Sequence, residues 1–279
     1  MISRRWFLGA LAMTCAGTAA AGARAGEAPL RIGVAPHTSA RIILEMYQPL
    51  REELQSDLGI PVEIITAPDF TEYVRRALAQ EYDIAITTGH QARLLQTDGG
   101  YQPLVTYSAD FRSVIVVPKD SPARRAKDLD HTTVIGLSPT SLVTLWGDHW
   151  LKRGDTEGIQ IRYVSAADSV AQLVLAGDAT AGMMSLPNFQ GLAPDVRARL
   201  RFLVESEPMP GRVYMLNARW SQRREEILRF LAAFAASKAG QDYFSSKQLE
   251  GYRPIRPGEL EAVDPYAREV RAELRRQAP

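Results

Sequence analysis

Short apolar runs alternate with segments of helical apolar spacing in the first third of the chain. The run 30–35 (LRIGVA) is typical of a buried strand, and from Thr38 onward apolar residues recur at helical spacing. Further strands are predicted at 61–66 and 82–86, with a helix over 70–80 between them. Because this β-α-β-α-β order joins strands through helices, it predicts a mainly parallel sheet.

The same alternation begins again in the middle of the chain. The predicted elements of this second unit are strands at 132–136, 159–164 and 180–184 and helices at 141–152 and 167–176. Two extended segments, 111–117 and 212–216, flank the unit and are interpreted as crossings between the two units. Two predicted C-terminal helices, 221–238 and 257–276, are left over. We expect them to pack on the first unit, which makes that unit discontinuous.

These patterns predict an α/β protein of two lobes, each a mainly parallel sheet flanked by helices, joined by two hinge strands. Lobe I is expected to comprise 26–115 and 213–279, and lobe II 116–212. Two crossings suit closure on a ligand, because a few hinge residues can absorb the change in backbone angles. In open α/β sheets, ligands bind beyond the carboxyl ends of the strands, where helix N-termini present free N–H groups.

The first 25 residues have the pattern of an export signal. Arg4 and Arg5 form a twin-arginine pair, a moderately apolar stretch extends to Ala21, and 23–25 is a small-x-small cleavage site. The apolar run of roughly 15 residues is short for the ~20 that a membrane-spanning helix needs. We therefore expect a signal over 1–25 that is cleaved after export to the periplasm, with an uncleaved N-terminal helix as the alternative.

Charge and cysteine content exclude several classes of protein. The chain has 33 Lys and Arg against 32 Asp and Glu, and loss of 1–25 removes three arginines and no acid, leaving about −2. Nucleic-acid-binding proteins usually have an excess of basic residues, which this net charge lacks, so no nucleic-acid partner is expected. Cys15 is the only cysteine. The mature chain can therefore form no disulfide, and lipidation of Cys15 is an alternative only, because Ala12 to Thr14 make a poor lipobox.

Hydroxyl side chains cluster where predicted strands lead into predicted helices. The candidate ligand-binding residues at these junctions are Thr38 and Ser39, Thr87, Thr88 and His90, and Ser138, Thr140 and Ser141. Hydroxyl groups and the first backbone amides of a helix donate hydrogen bonds to oxyanion oxygens, and the helix dipole adds roughly 0.3–1 kcal/mol. The same residue types are also ordinary helix caps, so both interpretations stay open.

The sequence contains no recognisable arrangement of catalytic, metal-binding or nucleotide-binding residues. His37, His90, His131 and His149 are scattered, without the spacing of metal ligands on one helix. The segment 136–140 (GLSPT) lacks the closing glycine of a nucleophile elbow, and neither G-x-G-x-x-G nor a P-loop occurs. We therefore predict no catalytic residues, no metal and no cofactor, with a periplasmic enzyme as the less favoured alternative.

Several motifs resemble those of the phosphate/phosphite/phosphonate-binding components of ABC transporters. They are 66–70 (TAPDF), 82–86 (YDIAI), 113–122 (SVIVVPKDSP), 128–129 (DL), 140–141 (TS), 174–178 (VLAGD) and 208–211 (PMPG). The resemblance covers most of the mature chain. It implies the type II periplasmic binding fold, a two-lobed clamshell that is monomeric and binds a small solute without chemistry of its own. The implied partner is the membrane permease of an ABC importer.

The resemblance also implies ligand-binding roles at specific positions, some of which depart from the family pattern. Phe70 and Phe111 stand where phosphonate binders have tyrosines. Thr140 and Ser141 match the last two residues of a Ser-Thr-Ser phosphoryl cradle, and Arg212 stands where an acid would bind a ligand amine. These departures favour a smaller or more highly charged oxyanion without an amine. Phosphate, phosphite, sulfonate-like and metalloid oxyanions all remain open.

Two further alternatives stay open at the level of sequence. Some relatives of this family are sensory, so the protein could instead present its ligand-bound form to a membrane histidine kinase. The Arg212 side chain could point away from the cleft and pair with a surface acid such as Glu205 or Glu207.

Overall fold

The structure is a computed structural model that describes residues 28–277, so the predicted signal at 1–25 lies outside the described residues. The strands are β1 (Leu30–Val34), β2 (Val62–Ile65), β3 (Ile84–Thr88), β4 (Gln102–Tyr107), β5 (Ser113–Pro118), β6 (Thr133–Gly136), β7 (Gln160–Tyr163), β8 (Ala181–Ser185), β9 (Leu200–Glu205), β10 (Arg212–Leu216) and β11 (Tyr252–Arg253). The helices are α1 (Ala40–Leu58), α2 (Phe70–Leu78), α3 (Gly89–Asp98), α4 (Leu142–Arg153), α5 (Ala167–Ala176), α6 (Leu186–Gln190), α7 (Pro194–Ala198), α8 (Arg224–Ala236), α9 (Lys238–Lys247) and α10 (Asp264–Arg276). Within residues 28–277, no helix is long and apolar enough to cross a membrane.

The strands form two sheets, with the orders β11-β4-β10-β3-β1-β2 and β7-β6-β8-β5-β9. In the first sheet β2, β1 and β3 are parallel, and in the second β7, β6 and β8 are parallel, as β-α-β units require. The predicted two-lobed α/β fold is confirmed. Both sheets are nevertheless mixed, because β5 and β10, which carry the chain into each sheet from the other, pair antiparallel with their neighbours.

The chain passes between the sheets twice, in the segments 108–112 and 206–211. These crossing segments are joined by an antiparallel bridge in which the Met209 N–H donates to the Phe111 carbonyl oxygen over 2.8 Å. Their approach is so close that a Cβ on Gly211 would lie 2.9 Å from the Cβ of Phe111. The two crossings therefore act as one paired hinge region rather than as separate linkers.

Strand β5 shows why the sheets form layers between helices. Its sequence, SVIVVP, is almost wholly apolar because both faces of the strand are buried. Val114 and Val116 pack into the core cluster on one face, and Ile115 and Val117 into the cluster on the other. Each such side chain contributes about 1.5–3 kcal/mol when it is fully buried.

The C-terminal helices pack on the outside of the first sheet. Helices α8 and α9 pack on each other and on α1, whereas α10 packs on α3 and also reaches α4 of the second lobe. There the ring of His149 lies 4.9 Å from the ring of Tyr266, and its Nε2 is hydrogen-bonded to Glu269. The last helix therefore connects the two lobes on the side of α4.

Candidate functional site

A cleft of about 690 Å³ opens between the two sheets beside the crossing segments. Its walls come from the loop after β1, the first half of α1, the start of α5, the end of β8 with α6, the end of α9 with the following loop, and both crossings. This volume lies within the range of small-molecule sites, about 300–1,000 Å³. The cleft is therefore the candidate ligand site.

Arg212, the first residue of β10, lines this cleft. Its backbone pairs with Thr88 of β3, and the Thr106 hydroxyl donates to its carbonyl oxygen over 2.9 Å. Within residues 28–277 its guanidinium forms no ion pair, and Glu205 lies 3.3 Å from Arg112 instead. The strand pairing fixes the backbone of Arg212 at the cleft, where its guanidinium has no ion-pair partner among the described residues.

Five tyrosine hydroxyls form a hydrogen-bonded group close to Arg212, which we call the tyrosine cluster. Its members are Tyr47, Tyr107, Tyr214, Tyr243 and Tyr252. The Tyr107 oxygen is central, since it lies 3.0 Å from that of Tyr214 and 2.5 Å from that of Tyr243. The Tyr252 hydroxyl donates to Tyr214 over 2.9 Å. Tyr107 also lines the cleft, so the cluster reaches the candidate site.

The tyrosine cluster sets the electrostatic environment of Arg212. Burial raises the pKa of Tyr107 and of Tyr214 well above the usual value, so these hydroxyls are neutral. The pKa of Arg212 is raised: burial, the largest influence, lowers it, and the surrounding tyrosines raise it, but only in their ionised form at high pH. At neutral pH the guanidinium is therefore charged and has no anionic partner among the described residues. The cleft therefore contains a permanent positive charge that no carboxylate of the described residues neutralises.

His37, on the loop after β1, lines the cleft beside this charge. Its Nδ1 lies 2.9 Å from the carbonyl oxygen of Ala35. Burial, and then the charge of Arg212, hold the pKa of His37 well below its usual value. His37 is therefore a neutral neighbour of the cation. The sequence pattern gave it no role, because no motif or spacing marks it.

Charged groups of both signs complete the wall of the cleft. They are Asp110, Asp168, Lys247 and Glu250. Asp110 lies 3.6 Å from Arg112, and Asp168 stands in the first turn of α5. The N-cap residue of that helix, Ala166, offers no side-chain hydrogen bond. The cleft thus presents an uncapped helix N-terminus and Arg212 to an anion, but it also presents carboxylates.

The hydroxyl residues predicted as a phosphoryl cradle lie where the two lobes touch. Thr140 is only 1% exposed, its carbonyl oxygen lies 2.9 Å from His90 Nε2, and its hydroxyl lies 3.2 Å from that of Thr71. Ser141 caps α4 by accepting a hydrogen bond from the Thr144 N–H over 3.4 Å. These groups have partners within the protein, and they do not line the cleft.

A family model described as the periplasmic substrate-binding protein of a phosphonate ABC transporter matches residues 32–260. The chain belongs to this family. Its members are periplasmic binding proteins of ABC transporters, as the sequence motifs predicted, and a small phosphonate ligand and a membrane permease are the partners that the family implies. A comparison with proteins of curated function gave no match.

Solved structures show the same fold. PhnD1 from Prochlorococcus marinus, in complex with methylphosphonate, is 17% identical with a TM-score of 0.74, over 87% of this chain and 98% of its own. A binding-protein component of an ABC phosphonate transporter from Pseudomonas aeruginosa is 14% identical with a TM-score of 0.74, over 91% of each chain. A Xanthomonas citri protein bound to chloride is 21% identical with a TM-score of 0.73, over 88% of this chain and 99% of its own. These similarities confirm the type II periplasmic binding fold.

Three of the predicted ligand-binding residues of this phosphonate-binding family member line the cleft, namely Thr38, Phe111 and Arg212. The other predicted residues, all within the described chain, lie outside its lining: Ser39, Phe70, Thr87, Thr88, His90, Ser138, Thr140 and Ser141. The predicted residues that line the cleft lie at the paired crossings or on the loop after β1. The structure therefore brings Thr38 of the first junction together with the hinge residues, whereas the second and third junctions meet each other at the lobe contact.

Several of the predicted residues outside the cleft lining have contacts within the protein instead. Ser39 caps α1 by accepting from the Ile42 N–H over 3.4 Å, and Phe70 packs in the core beneath α2. The Thr87 hydroxyl donates to Gln91 Oε1 over 2.6 Å. For these positions the alternative interpretation as caps and core residues describes the contacts that the structure shows.

Proposed function

We propose that this protein captures a small oxyanion without an amine in the cleft beside Arg212 and delivers it to the permease of an ABC importer. It binds the ligand without converting it and without a cofactor. The relatives from P. marinus and X. citri were found with methylphosphonate and with chloride, which supports an anionic ligand. The P. aeruginosa relative is a component of an ABC transporter, which supports import.

The observation that carries this proposal is the uncompensated charge of Arg212 in the cleft. A guanidinium is a fixed fork of donors that matches two oxygens of one anion, and such charge-assisted hydrogen bonds are about twice as strong as neutral ones. A partly buried charge without a partner is costly to the folded protein. A ligand anion supplies the missing partner.

The preference against an amine follows from the same charge. Arg212 repels a ligand ammonium that approaches the same end of the cleft. Asp168 and Glu250 also line the cleft and would attract an ammonium. Ligands with and without an amine are therefore compared directly in the experiment.

Thermal unfolding of residues 26–279 with a panel of anions tests the proposal. The panel comprises phosphate, phosphite, methylphosphonate, methanesulfonate and 2-aminoethylphosphonate. A bound anion at a hundred times its Kd stabilises the protein by roughly 2.7 kcal/mol. We expect stabilisation by at least one amine-free anion and a smaller effect of 2-aminoethylphosphonate. Products are analysed in the same samples, and turnover of the bound anion would contradict the absence of catalysis.

Calorimetry on Arg212→Asp then tests the residue. Loss of a charge that pairs with a buried anion costs about 2–5 kcal/mol of binding free energy. Arg112→Gln is the control, because Arg112 is another arginine of the hinge region, on the first crossing, but pairs with Glu205. Equal anion affinity in wild type and Arg212→Asp, with the fold intact, would rule out this site.

Import, rather than sensing, is the role proposed, because the matching family is a transporter family. Uptake of the anion should cease in cells that lack the gene and return with the wild-type gene. Normal uptake without the protein would contradict an import role and leave ligand binding unaffected.

A further inference from the structure

The tautomer of His37 is fixed by its own backbone. Nδ1 lies 2.9 Å from the carbonyl oxygen of Ala35, and a carbonyl oxygen only accepts hydrogen bonds, so Nδ1 carries a hydrogen. In a neutral imidazole the other nitrogen then has a lone pair and no hydrogen. No partner for Nε2 is found within residues 28–277. His37 thus brings a hydrogen-bond acceptor, not a donor, to the cleft.

The surroundings of His37 keep it in this form. Arg212 is the charge that acts on it most strongly, and it disfavours a second positive charge on the ring. The remaining charged groups of the cleft wall, on the crossing, on α5 and at the end of α9, are Asp110, Asp168, Lys247 and Glu250. Burial and Arg212 together lower the pKa of His37, so the acids do not restore its charge at neutral pH.

Arg212 and Nε2 of His37 act on an anion in opposite ways. Arg212 attracts the charged oxygens, whereas Nε2 of His37 repels an oxygen that carries no hydrogen. We propose that His37 makes the cleft selective for oxyanions that bear a hydrogen, such as a hydrogen phosphonate, by accepting the hydrogen bond of the ligand P–OH group. This selectivity rests on the proposed function, since it concerns the same cleft.

Two alternative ligand groups fit less well beside Nε2. A ligand ammonium could also donate, but it would lie beside the positive charge of Arg212. A sulfonate has the same tetrahedral shape and single negative charge as a hydrogen phosphonate, but near neutral pH none of its oxygens carries a hydrogen. Methylphosphonate and methanesulfonate therefore form a matched pair that differs mainly in the hydrogen that Nε2 would accept.

Titration calorimetry with these two anions tests the proposal. At a pH below the second pKa of methylphosphonate, we expect methanesulfonate to bind at least about tenfold more weakly than methylphosphonate. Above this pKa the free ligand loses its second proton, whereas the bound ligand keeps it. The affinity for methylphosphonate should therefore fall about tenfold for each further pH unit. Measurements in buffers of different ionisation enthalpy should show uptake approaching one proton per ligand.

Substitutions assign the effect to His37. Asn places an amide nitrogen close to the position of Nδ1, so His37→Asn keeps a donor for Ala35 and removes Nε2. We expect this variant to bind the two anions with similar affinity and to lose the proton uptake. Asp168→Asn is the comparison variant, because the Asp168 carboxylate also lines the cleft and could accept the hydrogen bond of the ligand instead of Nε2. If His37 is the selective group, Asp168→Asn still discriminates between the two anions.

Each other outcome overturns a specific statement. If wild type binds both anions equally, or if the discrimination persists in His37→Asn, His37 is not the selective group. If the protein binds neither these two anions nor any other anion of the panel, the proposed function itself is wrong. Failure of the His37 proposal requires that the anions bind, whereas failure of the proposed function requires that none of them binds. The two failures are therefore distinguishable.

Discussion

The imidazole of His90 donates a hydrogen bond from Nε2 to the carbonyl oxygen of Thr140, 2.9 Å away. His90 belongs to α3 beside the first sheet, and Thr140 precedes α4 beside the second, so this bond joins the two lobes. The Thr88 hydroxyl, 3.1 Å from Nδ1, acts as its donor when Nε2 carries the hydrogen. The neutral ring of His90 is therefore fully hydrogen-bonded at the lobe contact.

We expect acid to weaken the protein through His90. Burial lowers its pKa to about 4, so between this value and about 6.5 the unfolded chain binds a proton that the folded protein does not. The free energy of unfolding should therefore fall as the pH decreases from about 6.5 to about 4, by up to about 3 kcal/mol from this residue. Urea denaturation at several pH values, compared with His90→Gln, isolates the contribution. An identical pH dependence in the variant would contradict it.

Arg212→Met should leave the ligand-free protein as stable as wild type, or more stable by about 1 kcal/mol. The guanidinium is partly buried without a carboxylate partner, and methionine keeps much of the side-chain length without the desolvation cost. Urea denaturation without added anions measures this effect. A loss of several kcal/mol would show that Arg212 has a structural role that its contacts do not reveal.

Tyr107→Phe should destabilise the protein by about 1–3 kcal/mol, because the central hydroxyl of the tyrosine cluster is lost and its buried neighbours lose a partner. Tyr47→Phe is the matched control, since its single bond to Tyr107 is long at 3.4 Å. Denaturation of both variants should place the larger loss at Tyr107. Equal losses would mean that the hydrogen bonds of the cluster contribute little.

Ser141→Ala separates the two interpretations of the predicted cradle. As the N-cap of α4, Ser141 should contribute about 0.5–2 kcal/mol to stability, with little change in anion affinity. As a ligand donor, it should instead contribute about 1.5–3 kcal/mol to binding. Denaturation and calorimetry on one variant measure both quantities. The contacts of Ser141 favour the first result.

The export signal stays a prediction, because residues 1–27 lie outside the described part of the chain. We expect the protein purified from the periplasm to begin at Gly26. Replacing Arg4 and Arg5 by lysine should leave the protein in the cytoplasm, since the paired arginines are the part of the signal that the export machinery recognises. Export of the lysine variant at the normal rate would indicate a different route.

Much of the fold was predictable from apolar periodicity, because this pattern reports which face of each element is buried. The predicted strands 30–35, 132–136 and 180–184 correspond to β1, β6 and β8. Strands β4 and β9 were not predicted, since short segments without a clear period-two pattern resemble loops. The predicted helix 221–238 overlaps α8, and α9 follows it after a single residue, Ser237.

The cleft shows where sequence reasoning stops. Hydroxyl residues at strand ends are visible in the sequence, but whether each faces a ligand or caps a helix depends on how far the lobes have approached. Thr140 and His90 form a hydrogen bond with each other across the lobe contact, and no local sequence pattern reveals this bond. Arg212 was identified through a resemblance to a family, and its lack of a carboxylate partner became visible only with the fold.

The sequence by itself determined the two α/β units, their crossings and the family, because these depend on local periodicity and on motifs. Only the tertiary structure decided the chemistry of the cleft. The tyrosine cluster joins α1, β4, β10, α9 and β11, and His37 meets Arg212 because β3 lies between β1 and β10 in the first sheet. Such contacts arise from strand order, and strand order follows from burying both faces of a sheet, which is a property of the whole chain.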